Sequence, residues 1–188
     1  MSNSLTDKYE VFVSAEGTEY RWKKSQEIVV KLTSKEINLL KLKVNLSQDS
    51  DILNRESGNG IAMGIPISLS NTRLLELSRQ LASVIENEPT IIFSDHVIER
   101  LVLESFESYP DKRGWSNEEE VKNCVLTVRR VHGVRLNVDH DHPLNTDSIK
   151  YLYPHIALVI QGKKDDNADG RLVLAVLTDN EIRVITIL

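Results

Sequence analysis

At 188 residues and 40% hydrophobic content, the chain is long enough for one sizeable core or two small ones and too apolar to be intrinsically disordered. Its net charge of -5 excludes a general nucleic-acid-coating protein, which needs a basic footprint, and leaves room only for a local basic patch. With aromatic residues at 5%, the core has to be mostly Leu, Ile and Val, and base stacking over a broad surface is poorly supplied.

The first residues, Met1 to Asp7, lack the charged-then-apolar pattern of a secretory signal, and no run approaches the ~18 apolar residues of a spanning helix. A cytoplasmic protein without a membrane partner is expected. Residues 9–14 and 18–22 alternate as strands around Ala15-Glu16-Gly17, a hairpin turn in which Gly17 takes a positive φ. A third strand is expected over 27–32. Thr33-Ser34-Lys35-Glu36 fits a capping box for a helix with Ile37, Leu40 and Val44 on one face, although 41–46 also reads as a strand. Residues 47–60 are polar and are expected to form a surface loop or mobile linker. Within and beyond it, Gly58, Gly60 and Gly64 have the look of a dinucleotide fingerprint, but no strand precedes them and Pro66 stands where a helix should begin.

A helix from Ser70-Asn71-Thr72 to Asn87 carries Leu74, Leu77, Leu81 and Ile85 as a period-3.6 stripe, and Pro89 marks the most natural domain boundary, dividing 1–88 from 89–188. Beyond it the pattern predicts a short strand, a helix over 95–108 and a loop over 109–115. A second capping box at Ser116-Asn117-Glu118-Glu119 then opens a helix with Val121, Cys124, Val125 and Val128 in register. Cys124 is the single cysteine, which excludes an intrachain disulfide and a cysteine-rich zinc site; it reads as a small buried hydrophobe. Strands are expected at 134–138, 155–161, 171–178 and 182–188, the last two joined by Asp179-Asn180-Glu181. The expected fold class is α+β, with a mixed strand and helix region over 1–88 and a two-helix, antiparallel-sheet domain over 89–188.

The most informative stretch is Phe93-Ser94-Asp95-His96-Val97-Ile98-Glu99-Arg100. With Ser94 or Asp95 as N-cap, the three- and four-residue spacings predict that His96, Glu99 and Arg100 form one polar patch, with Val97, Leu101 and Phe106 covering the buried side. Followed by two helices, then strands, and closed by Val184-Ile185-Thr186-Ile187-Leu188, this stretch resembles small bacterial toxin domains of the RelE/barnase/EndoU type. Those domains open with an F-[ST]-x-H-x-x-E-R helix and end in a V-x-T-[VI] strand. The resemblance covers 89–188 and implies a RelE/barnase-like fold that cleaves RNA without metal or cofactor, by attack of a ribose 2′-hydroxyl on the adjacent phosphate. It also implies a protein partner such as an antitoxin or host factor. On this resemblance His96 carries a proton, Arg100 grips phosphate and Glu99 orients either. His155, Arg129, Arg130 and His132 are candidates for a second cation or proton donor, and Thr186 matches the threonine of the terminal strand. The chain departs from the family where a basic helix is replaced by Leu101-Val102-Leu103-Glu104-Ser105-Phe106, and in the excess of acidic over basic residues from 89 onward.

Two other readings belong to different classes. The same fold can serve as a non-catalytic protein- or nucleotide-binding regulator or inhibitor. Alternatively, Asp139-His140-Asp141-His142 supplies metal-ligand types, and His140 and His142 with His155 make the three histidines of an open zinc centre in a metal-dependent hydrolase. The basic run Arg129-Arg130-Val131-His132-Gly133-Val134-Arg135 is explained either by phosphate binding or by cations favoured at a helix C-terminus.

Overall fold

The apolar runs of the C-terminal half supply most of the strands of one large sheet, and helices close over one of its faces. The computed structural model describes residues 8–23, 29–53 and 64–188. In chain order the elements are β1 (Glu10–Val13), β2 (Glu19–Trp22), α1 (Ser34–Leu46), α2 (Asp49–Leu53), β3 (Gly64–Ile67), α3 (Asn71–Glu86) and β4 (Thr90–Phe93). There follow α4 (Asp95–Glu104), α5 (Glu118–Leu126), β5 (Arg130–Asn137), β6 (Ile149–Leu152), β7 (Ala157–Lys163), β8 (Asp169–Thr178) and β9 (Glu181–Ile187). The protein is thus α+β, with a six-stranded sheet in the order β3-β5-β7-β8-β9-β4 and a three-stranded sheet in the order β1-β2-β6. β4 runs parallel to β9 and β2 parallel to β6; the other pairings are antiparallel.

Cross-strand register sorts the residues of the large sheet into two faces. Val131 pairs with Ile160 and Val134 with Leu158; these continue to Leu172 and Leu174 and then to Ile187 and Val184, all buried. Directly opposed residues point to the same side, so this is one apolar face. α3 packs on β5, α5 on β7 and α4 on β9, and their apolar stripes (Leu77 and Leu81, Val121 and Cys124, Val97 and Leu101) join the same core cluster. Gly162 and Gly170 face each other under α5, where an added Cβ at Gly162 would stand 1.9 Å from the Cys124 carbonyl oxygen. The glycine is what lets helix and strand approach so closely.

The other face reads as three rows. Arg130, Gln161 and Arg171 form one, and Gly133, Val159, Val173 and Thr186 the next. The third crosses all six strands as Pro66, Arg135, Ala157, Ala175, Arg183 and Ile92. Arg130, Arg171 and Arg183 are exposed and Arg135 is partly so.

Several local expectations hold for plain chemical reasons. Thr33 and Glu36 complete the capping box of α1, which settles 41–46 as helix, and Ser70 caps α3 by accepting from the Arg73 amide at 3.2 Å. Others are corrected. Residues 29–32 of the expected third strand are not strand, and 27–28 lie outside the described residues, as does most of the glycine-spaced segment at 58–64. Part of the expected loop is the short helix α2. Pro66 sits in a strand after all, because β3 is the edge of the sheet, where a missing N–H costs no ladder bond. β6 was masked by its polar surroundings and exists by pairing in parallel with β2. α4 stops at Glu104, short of the expected 108, and α5 is capped by Asn117, one residue later than expected, with its side chain accepting from the Glu120 amide at 3.0 Å. Both sheets draw strands from each side of Pro89, so hydrogen bonding crosses the boundary expected there.

The packing of α5 on the sheet carries a direct test. Gly162→Ala is expected to lower stability by about 1–3 kcal/mol, because the helix backbone must shift to admit one methyl group. Gly133→Ala, whose Cβ meets only a Val159 methyl at 3.9 Å, is expected to leave the urea midpoint nearly unchanged.

Candidate functional site

The expected patch on α4 does not assemble, and the reason is the helix period. Ser94 is the N-cap, accepting from the Val97 amide at 3.3 Å while its hydroxyl donates to the Ile185 carbonyl at 2.8 Å. The buried stripe is Val97, Arg100, Leu101 and Glu104, so Arg100 turns inward while His96 and Glu99 are exposed. Phe106, expected to be buried, is 55% exposed. Arg100 donates through Nη1 to the Tyr109 hydroxyl at 2.7 Å and through Nη2 to the Asp111 carbonyl; its Nε stands 3.4 Å from Glu104 Oε1. The Glu104 carboxylate in turn accepts from the Arg113 amide at 2.8 and 3.0 Å and from the Gly114 amide at 3.1 Å. This guanidinium holds the 109–114 loop in place and presents no fork to solvent.

The structure instead gathers polar groups on the other side of the sheet. A cavity of about 120 Å³ is lined by the apolar Ala175, Leu177 and Ile185 and by the polar Ser94, Asn137, Tyr153, His155 and Arg183. Of the residues singled out by sequence, it takes in His155; Thr186 lies nearby on β9 but is buried opposite Val173, its hydroxyl 3.4 Å from the Ile187 carbonyl. Two buried polar atoms here, Asn137 Oδ1 and His155 Nδ1, have no hydrogen-bond partner among the described residues. Leaving such an atom unsatisfied costs about 1–3 kcal/mol, so a folded chain rarely keeps two together without a ligand or water to meet them. Burial, and next the Arg183 charge, hold the His155 pKa below its ordinary value, so the ring is neutral at pH 7. Burial, followed by Asp139 and Asp141, raises the Tyr153 phenol, which therefore keeps its proton.

The remaining expected residues are dispersed. Arg129 and Arg130 are exposed at the start of β5, and the Arg129 amide donates to the Gln161 carbonyl at 2.8 Å. His132 shares a hydrogen bond with Gln161 Oε1 at 2.7 Å. His142 stacks on Tyr151 with ring centroids 4.0 Å apart, and its Nδ1 accepts from the Leu144 amide at 3.2 Å; His140 is exposed. The 139–148 loop closes on Asn145, which donates to the Asp139 carbonyl at 2.7 Å and accepts from the Tyr151 amide at 2.9 Å. Among the described residues no group of three or more metal-ligating side chains comes together. Cys124 is fully buried, and burial pushes its thiol up to about 11, the behaviour expected of a packed hydrophobe.

Asn137, Tyr153 and Arg183 are members of the site that sequence reasoning passed over. Arg183 had a visible signal, since it is the one charge between Ile182 and Val184 in a strand of alternating pattern. Asn137 and Tyr153 had none, because only the fold brings the ends of β5 and β6 to the edge of β8 and β9.

Arg100→Ala, which leaves the Glu104 charge buried without its partner, is expected to cost about 3–5 kcal/mol by urea denaturation, the pattern of a structural guanidinium. His155 supplies a pH test. Its folded pKa lies below 6.5, so the unfolded chain binds the proton first; the stabilisation is present above 6.5 and is lost as pH falls through the folded value. His155→Gln is expected to flatten that acid limb of the stability curve. Comparison with protein-family models, with curated proteins and with solved structures finds no match for this chain.

Proposed function

We propose that the arginine-bearing face of the six-stranded sheet binds single-stranded RNA and that the chain is a ribonuclease of the metal-independent type. The observation that supports this is the placement of Arg130, Arg135, Arg171 and Arg183 on one side of a sheet in a chain whose net charge is -5. Among the described residues the acids on the strands of that side are Glu181 and Asp169, with Asp169 already bound to Lys163 at 2.6 Å, while Asp139 and Asp141 stand near Tyr153 at the end of the sheet. Phosphates attract such a surface strongly, whereas the remainder of an acidic chain repels them.

In this reading Arg183 takes the phosphate role that the family resemblance gives to Arg100. His96, exposed on the first turn of α4 two residues beyond the cavity-lining Ser94, accepts the 2′-hydroxyl proton. The 2′-oxygen bonds to phosphorus as the bond to the 5′-oxygen breaks, and water protonates the leaving oxygen. The products are a 2′,3′-cyclic phosphate and a 5′-hydroxyl end. The withdrawal of Arg100 into the fold favours a second reading, a regulator that holds RNA without cutting it.

Labelled single-stranded RNA incubated with the protein in EDTA separates these. Cleavage to cyclic phosphate ends is expected, falling about 100- to 10,000-fold in His96→Ala. Arg171→Ala is expected to weaken binding and lower the salt slope by about 1. Binding without cleavage assigns the regulator, and absence of binding at low salt overturns both.

A further inference from the structure

The cavity at Ala175 differs from the rest of the basic face. Ala175, Leu177 and Ile185 give it apolar cover, the buried Asn137 Oδ1 and His155 Nδ1 have no hydrogen-bond partner among the described residues, and its charge is on the exposed Arg183. Asn137 is 5% exposed, so its amide oxygen is held away from bulk water. Opposite it, Gly64 leaves the amide its place, since a Cβ there would fall 2.8 Å from Asn137 Oδ1 and 2.6 Å from the Leu136 carbonyl oxygen.

We propose that this cavity is a binding site for one unpaired nucleobase. A base N–H donates to Asn137 Oδ1, a second polar atom of the same edge meets His155 Nδ1, and Ala175, Leu177 and Ile185 cover the ring. A phosphate or carboxylate is the wrong partner for the inner end, because it brings acceptor oxygens against an acceptor. A drug-sized molecule is too large, since such pockets begin at about 300 Å³. A flat heterocycle with N–H donors on one edge satisfies the orphan amide, and hydrogen bonds to a base edge combined with apolar cover are the usual way a single base is read. The exposed Arg183 then lies where the attached phosphate emerges. As part of RNA recognition, this site rests on the reading given above; as a base site, it is tested without RNA.

The experiment is titration of the intact protein with adenosine, guanosine, cytidine and uridine separately, followed by amide and imidazole NMR shifts. At least one nucleoside is expected to shift Gly64, Asn137 and His155 saturably, with a tenfold or greater spread in affinity among the four. Ala175→Leu and Leu177→Phe, each of which enlarges a side chain lining the cavity, are each expected to abolish the shifts. An abasic ribose-phosphate oligomer should still bind both variants as it binds wild type. Failure of all four nucleosides up to their solubility, or shifts that persist in both folded variants, would overturn the base site and leave the cavity occupied by ordered water only. That result does not touch the RNA-cleavage assay, so the two readings fail separately.

Discussion

The buried pair Arg100–Glu104 is the constraint on which the C-terminal half is organised. Both side chains lie in the helix stripe that sequence alone assigns to apolar groups, at 9% and 2% exposure. Two charges taken out of water are tolerated only when their remaining hydrogen-bonding capacity is met, and here the backbone of the 109–114 loop and the Tyr109 hydroxyl meet most of it. The same loop delivers Arg113 to the Ile187 carbonyl and leads into Trp115, whose indole donates to the Leu188 carbonyl at 3.1 Å. Lys164 closes the arrangement from the β7–β8 turn, lying 4.2 Å above the Trp115 ring and donating to the Gly114 carbonyl. One internal ion pair thereby ties a helix, a loop, the last strand and a hairpin turn together.

That anchoring positions the arginine-bearing face. β9 is held at its C-terminal end by Arg113 and Trp115 and at its middle by Ser94, which bonds the Ile185 carbonyl. Its outward side chains, Arg183 above all, therefore keep a fixed relation to β8 and to the end of β5. The apolar side of the sheet supplies the hydrophobic stabilisation, and the polar side is left to present guanidinium groups around two alanines. The period of two along each strand is how a chain with net negative charge gathers four arginines on one side of a sheet.

Much of the fold was legible because its signals are local. The capping box at Thr33 and Glu36, the leucine stripe of α3 and the alternation of β7, β8 and β9 each follow from residues a few positions apart. What escaped was set by distant partners. β6 has only four residues and is a strand because β2 lies beside it; β3 contains a proline that is tolerated only at an edge. For the site, His155 was legible as a candidate by residue type, whereas its companions Asn137, Tyr153 and Arg183 come from three different segments.

The fate of His96, Glu99 and Arg100 states the division most sharply. Spacing and the Ser94 cap are enough to place these residues together at the start of an amphipathic helix. Which way Arg100 points was decided by the tertiary structure alone, because a guanidinium prefers solvent unless a carboxylate and several backbone groups replace its water. Those groups come from Glu104 and the 109–111 segment and meet at Arg100 only once the loop has folded back over α4. The α+β class, the helix caps and the C-terminal strands were written in local chemistry. The basic face and its cavity required strands from both halves of the chain to be in register.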